Sequence, residues 1–260
     1  MKIACVQMDI AFGEPEKNFE NVQKYIEEAA KAGADVIVLP EMWNTGYALN
    51  NLSNLADVNG DKTKQMLAQN AKQYGVNIIG GSVATKREDG FYNTMYVVNR
   101  VGEIIAEYDK AHLIKLMDEH LFMNPGQKPN NFEIDGTTCG GVICYDLRFP
   151  EWIRTHTIKG AKVMFIPAEW PKTRIDHWQI LLQARAIENQ CFIIAVNRVG
   201  TDPNNEFNGH SMVVAPWGEV LIGDQSSEGI FYTDLDLEEV DRVRKTIPIY
   251  QDRRSELYNC

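Results

Sequence analysis

The stretch Gly33-Ala34-Asp35-Val36-Ile37-Val38-Leu39-Pro40-Glu41-Met42-Trp43 has a counterpart later in the chain, Gly160-Ala161-Lys162-Val163-Met164-Phe165-Ile166-Pro167-Ala168-Glu169-Trp170. In each copy a glycine closes a helix, an unbroken β-branched and aliphatic run reads as a strand covered on both faces, and a proline stops it. The correspondence extends to other segments. Ile3-Ala4-Cys5-Val6-Gln7 resembles Val142-Ile143-Cys144-Tyr145-Asp146, Ile78-Ile79 parallels Ile193-Ile194, and Gly102-Glu103-Ile104 parallels Gly218-Glu219-Val220. Each half reads strand, helix, strand, helix, strand, hairpin. Two such halves bury their sheets against each other and keep their helices outside. The expected fold is therefore α/β: one four-layer α-β-β-α sandwich over residues 1-260, with two mixed sheets and an internal pseudo-two-fold repeat.

Within the first half, Pro15 opens a helix whose apolar face includes Phe19, Val22, Ile26 and Ala30. A second helix fits 61–74, closed by Gly75, and a strand fits 76–83. Segments 92–99 and 103–108 form a hairpin turning at Val101-Gly102 and delivering Asp109-Lys110. The polar segment from Met117-Asp118-Glu119-His120 to Pro125-Gly126-Gln127 is too long for a plain connection, and long loops in compact domains usually carry function.

A net charge of -10, from 26 Lys plus Arg against 36 Asp plus Glu, argues against a nucleic-acid or anionic-membrane surface. A small molecule is the expected partner. The five cysteines (Cys5, Cys139, Cys144, Cys191, Cys260) lack CxxC pairs and zinc-like Cys/His spacing. The chain starts directly in a strand pattern, and no apolar run approaches membrane-spanning length. A reduced cytoplasm is the expected home, with no metal.

Chemistry is sought where the two halves differ, because the fold alone does not require a residue that one half lacks. Glu41 matches Ala168, so architecture does not demand that carboxylate. Cys144 matches Cys5, which shows that a thiol can occupy that position for packing. A thiol is mostly protonated at neutral pH and needs a base or a cation beside it. Glu41 is a candidate base if buried, and Lys110, at the end of its hairpin, a candidate oxyanion partner. A cysteine-histidine site would draw on His112, His120, His156, His177 or His210, none of which shows a diagnostic local pattern.

Leu39-Pro40-Glu41, Tyr108-Asp109-Lys110 and Ile143-Cys144-Tyr145-Asp146-Leu147-Arg148-Phe149-Pro150-Glu151 resemble, in order and spacing, the three signature blocks of the nitrilase superfamily of carbon-nitrogen hydrolases. The resemblance extends through His177-Trp178 and Ala184-Arg185-Ala186-Ile187-Glu188-Asn189-Gln190. It implies the same sandwich and a triad of Glu41 (general base and acid), Lys110 (oxyanion stabiliser) and Cys144 (nucleophile). It also implies a second glutamate at Glu119, an oxyanion contact from the Tyr145 backbone N–H, and no cofactor. Asp109-Lys110-x-His112-Leu113, Met117-Asp118-Glu119-His120 and Glu169-Trp170-Pro171 resemble the omega-amidase branch, which cleaves the terminal amide of small 2-oxo acids such as 2-oxoglutaramate or 2-oxosuccinamate.

The N-carbamoyl-amino-acid amidases of the family often carry two adjacent arginines after the cysteine. Here Leu147-Arg148 stands instead, which lowers that reading. A broad aliphatic amidase, a nitrilase and an ammonia-supplying subunit of a larger assembly stay open beside it. Arg174 and Lys115 are candidates to meet a substrate carboxylate, Tyr47 and Trp170 to wall the pocket, and Arg148 is equally a structural ion-pair partner. The resemblance further implies a homodimer, with the helix bearing His177-Trp178 and Arg185 to Glu188 at the interface and the tail 247-260 crossing between subunits.

Overall fold

The computed structural model describes residues 1–258; Asn259 and Cys260, the end of the tail expected at an interface, lie outside the described residues. Strand β1 (Lys2–Gln7) leads to helix α1 (Pro15–Lys31), which buries Phe19, Val22, Ile26 and Ala29. Strand β2 (Val36–Val38) follows, then the short α2 (Leu52–Leu55) and β3 (Asp57–Val58). Helix α3 (Asp61–Tyr74), capped by the left-handed Gly75, precedes β4 (Asn77–Ile79), β5 (Val83–Arg87), β6 (Gly90–Val98) and β7 (Ile104–Asp109).

The single-turn α4 (Glu119–Phe122) interrupts the long polar segment. Then come β8 (Asn131–Ile134), β9 (Thr137–Gly141), α5 (Pro150–Thr157), β10 (Val163–Ala168), α6 (Ile175–Asn189) and β11 (Phe192–Asn197). A small ribbon, β12 (Val199–Thr201) with β13 (Glu206–Asn208), is followed by β14 (Met212–Val214), β15 (Val220–Ile222), β16 (Gly229–Asp234), α7 (Glu238–Thr246) and α8 (Ile249–Asp252).

One sheet runs β16-β1-β2-β4-β6-β5-β3 with β7 also on β6, and the other runs β15-β14-β11-β10-β9-β8. Strands β1, β2 and β4 are parallel, as are β9, β10 and β11, with helices making the crossovers in both sets. Both sheets then turn antiparallel, through β4–β6 and β11–β14. This is the repeat expected from the sequence. In β1 the side chains alternate as a strand requires: Ile3 and Cys5 enter the core between the sheets, while Ala4 and Val6 meet the outer helices. Phe19 and Leu67 cover one outer face; Ile153, Trp178 and Leu182 cover the other. The layers are α-β-β-α.

Two segments depart from the sequence reading. The strand expected over 76–83 breaks after Ile79, because Gly81 (φ 59) passes so close to the preceding loop that an added Cβ would lie 1.9 Å from the carbonyl oxygen of Pro40. The segment 142–146, matched to β1, leaves strand geometry after Gly141. Cys144 begins a 3-10 turn (Cys144–Arg148) at φ 45, whereas Cys5 lies within β1. The two thiols matched by sequence thus occupy different backbone conformations.

Candidate active site

Glu41, Lys110, Cys144 and Glu169 each follow the C-terminal end of a strand: β2, β7, β9 and β10. All four side chains are buried at 4% exposure or less. The loop after Glu41 is held by the broken strand: Met42 N–H donates to Ser82 Oγ at 3.0 Å, and Ser82 N–H to Pro40 O at 3.1 Å. Cys144 is held at its left-handed elbow by Asp146. That carboxylate accepts from the Ile143 N–H (3.0 Å), the Tyr108 hydroxyl (2.7 Å) and the His112 N–H (2.9 Å), which ties the hairpin end bearing Lys110 to the turn bearing the thiol. Non-glycine residues keep a left-handed backbone only where surrounding contacts overdetermine it.

Lys110 Nζ donates to Glu41 Oε1 at 2.8 Å, to Glu119 Oε2 at 2.8 Å and to the Tyr47 hydroxyl at 3.0 Å. Glu41 Oε1 also accepts from Tyr47 (2.8 Å) and Asn93 Nδ2 (2.8 Å), and its Oε2 from the Glu169 N–H (2.8 Å). Glu119 further accepts from Asn93 Nδ2 (3.0 Å) and the Ile114 N–H (2.8 Å). The thiol donates to the Glu169 carbonyl oxygen at 3.9 Å.

Burial alone pushes Glu41 upward, but the Lys110 charge and the hydrogen bonds from Lys110 and the Glu169 N–H outweigh it and hold the carboxyl below its usual range. Glu119 goes the other way, raised by burial with Lys110 opposing and Glu41 adding. Burial and then the Glu41 charge hold Cys144 well above the ordinary thiol value, with Lys110 pulling it down. The pair therefore rests as thiol beside carboxylate. Lys110 is raised, since its two carboxylate partners outweigh the cost of burial.

Of the other residues singled out by sequence, Tyr47 stands inside the charged cluster at 8% exposure. Trp170, next in the chain after Glu169, is buried as well: its N–H donates to Asn197 Oδ1 (2.7 Å), and the Arg148 guanidinium lies 4.6 Å from its ring centre. Lys115, Arg148 and Arg174 line a cleft of about 630 Å³ together with His112 and Tyr145. Arg148 makes no ion pair among the described residues. Burial, with the Arg174 charge adding, lowers its pKa, and its Nη2 lies 3.4 Å from His177 Nδ1. Asn93, Asp146 and the buried Glu169–Arg198 pair (3.2 Å) were not singled out by sequence reasoning. Asp146 sits two residues past the thiol, and that adjacency was the available signal; Asn93 lies inside β6 and gives none.

The carbon-nitrogen hydrolase family model matches residues 2–245, and the chain belongs to that family. It is a cysteine-dependent hydrolase acting on amides, in the nitrilase superfamily near the omega-amidase branch. Among particular relatives, it is 52% identical to the 2-oxoglutaramate amidase of Bacillus subtilis over 98% of each chain. It is 30% identical to the human omega-amidase NIT2, covering 99% of this chain and 96% of that one. A mutant of the amidase from Nesterenkonia sp. AN1, carrying acrylamide added at its active-site cysteine, matches at a TM-score of 0.85 and 25% identity, over 99% and 98% of the two chains. No helix among the described residues is long and apolar enough to cross a membrane.

Proposed function

We propose that the chain, acting as one carbon-nitrogen hydrolase unit, cleaves the terminal carboxamide of a small 2-oxo acid such as 2-oxoglutaramate or 2-oxosuccinamate, giving the carboxylate and ammonia. The observation that carries this reading is a buried carboxylate–lysine–thiol cluster next to a cleft whose Lys115, Arg148 and Arg174 make no ion pair among the described residues. The 52% identity to a 2-oxoglutaramate amidase supports the choice of substrate.

In the proposed mechanism Glu41 takes the Cys144 proton as the sulfur bonds to the amide carbon, so no free thiolate has to persist in a buried site. Lys110 and the Tyr145 N–H, which meets no acceptor among the described residues, donate to the developing oxyanion. The C–N bond breaks and Glu41 returns its proton to the departing ammonia, leaving a thioester. Water, deprotonated by Glu41, attacks that carbonyl; the proton passes back to sulfur and the acid is released. Glu119 orients Lys110. Arg148, Arg174 and Lys115 receive the carboxylate at the other end of the substrate, with Trp170 supporting Arg148 from beneath. The reaction uses no cofactor.

Ammonia release over a panel of 2-oxo acid amides, N-carbamoyl amino acids, deaminated glutathione, aliphatic amides and nitriles tests this. The 2-oxo amides should be turned over with the highest kcat/KM. Cys144→Ala should abolish turnover while Cys5→Ala, whose thiol burial pushes up to about 12, should not; retained activity in the first, or no 2-oxo amide cleaved by the wild type, would sink the proposal. The same reading includes a cytoplasmic homodimer. Its interface would be a groove of about 660 Å³ between α5, α6 and the C-terminal segment, where Ile187, Trp217, Ile247 and Tyr258 are exposed.

A further inference from the structure

Glu169 is a buried carboxylate at the site that the mechanism above leaves unused. Its main chain touches both reacting groups: the N–H donates to Glu41 Oε2 at 2.8 Å, and the carbonyl oxygen accepts from Cys144 Sγ at 3.9 Å. Its side chain is fully buried, accepts from Arg198 Nη1 at 3.2 Å through Oε2, and keeps Oε1 without a partner among the described residues. Arg198 is buried too, anchored on Ile10 O (3.0 Å), Val199 O (3.0 Å) and Asp9 Oδ1 (2.9 Å). It underlies the loop bearing Glu41 and Tyr47, since a Cβ built on Gly46 would lie 3.8 Å from Nη1.

We infer that Glu169 is a positioning residue of the reaction, whose carboxylate sets the proton affinity of Glu41 and is itself set by Arg198. The inference rests on Glu41 being the base. The charged and titratable groups around Glu169 are Arg198 and Asp202 from the end of β11 and the ribbon after it, and Glu41 and Tyr47 from the loop after β2. Cys144 touches its carbonyl, Asp9 lies beyond Arg198, and Lys110 and Glu119 engage Glu41 from its other oxygen or through Tyr47. Burial pushes Glu169 up to about 8, with Arg198 opposing and Glu41 and Asp202 adding.

An ionised Glu169 favours a proton on Glu41, which is where the thiol proton must go. The base therefore strengthens as Glu169 ionises. Stability runs the opposite way: a carboxyl raised on folding stabilises fully below its ordinary value of 4.5, and that contribution is lost as pH rises through about 8.

The test is Glu169→Gln, which keeps the shape and removes the charge, followed by kcat, KM and Tm against pH. Wild-type kcat should rise through an inflection near pH 8. The variant should lose that inflection, with kcat lower by up to about tenfold above it, as about one pK unit of base strength implies. KM should stay within about twofold, and the decline of Tm between the two pH values should flatten. A wild-type profile without the inflection, a variant that keeps it, or an equal loss at every pH overturns the inference. If Glu169→Gln does not fold, Asp202→Asn removes a charge that raises Glu169 and should move the inflection to lower pH; an unmoved inflection overturns it equally. Glu41→Gln separates the two readings: turnover retained there removes the base itself, whereas an inactive Glu41→Gln with a wild-type profile in Glu169→Gln removes only this inference.

Discussion

Lys110 is shared between two buried carboxylates, of which the proposed mechanism uses Glu41 as the base toward Cys144. Glu41 is held below its usual range and Glu119 above it, so of the two Glu41 keeps its charge more readily. Asn93 helps set this division, because its Nδ2 donates to Oε1 of both. A hydrogen bond to a charged group contributes about 1.5–3 kcal/mol. Asn93→Ala should accordingly lower kcat by about ten- to a hundredfold in an ammonia-release assay with KM little changed, because the lost anchoring of Glu41 and Glu119 outweighs the gain in Glu41 base strength. Loss of a donor to the charged form raises a carboxyl's pKa, so the acid limb of the kcat/KM profile should also move to higher pH; an acid limb that stays in place would remove Asn93 from this role. Glu41 stood out in the sequence because the matching half carries Ala168 there, whereas Cys144, matched by Cys5, and Lys110 drew their candidate roles from the resemblance to the family's signature blocks. Asn93 did not stand out, since it lies inside β6 beside another polar residue, Thr94, and its meaning lies in two carboxylates brought from elsewhere in the chain.

At the scale of elements, the site depends on places where strands stop. The trio β1, β2 and β4 and the trio β9, β10 and β11 could be read as a repeat because buried parallel strands are unbroken apolar runs. The break after Ile79 could not, because Gly80-Gly81-Ser82 continues no pattern until the Pro40 loop is folded against it. Trp43 Nε1 donates to Gly80 O at 2.8 Å, so this break clamps the loop carrying Glu41 from both ends. Gly81→Ala tests the clamp. The left-handed backbone alone costs a non-glycine residue about 1–3 kcal/mol, and the 1.9 Å approach to Pro40 O adds a clash with backbone that cannot rotate away. Chemical denaturation should show destabilisation of at least that size. The folded fraction should also lose kcat, because the shifted Pro40 carries Glu41 with it. Full activity per folded molecule would show that the loop is held by other contacts.

For the whole molecule, the sequence pointed to α6 as an interface element through His177-Trp178 and Arg185 to Glu188, but Trp178 and Arg185 face inward. Helical periodicity could not make that distinction, because α6 carries apolar residues around most of its circumference: Trp178 and Leu182 are buried while Ile180 and Ile187 are exposed. Only the packed structure shows which side remains free, and there Ile187 joins Trp217 and Ile247 around the groove. The proposed dimer would cover this exposed apolar surface. Each chain carries a net charge of -10, so two copies repel at long range, and attraction in the proposed dimer would have to be apolar. Added salt screens the repulsion and leaves apolar burial in place, so light scattering should show a dimer that tightens or holds as salt rises, and Ile187→Glu should yield monomers. The groove is also lined by Pro150, Glu151 and Arg154 of α5, the helix that begins directly after the Cys144 turn. Loss of the dimer should therefore loosen the thiol elbow and reduce kcat in Ile187→Glu, although that residue has no place in the chemistry. A wild type that scatters as a monomer, or a dimer that dissociates as salt rises, would refute this assembly.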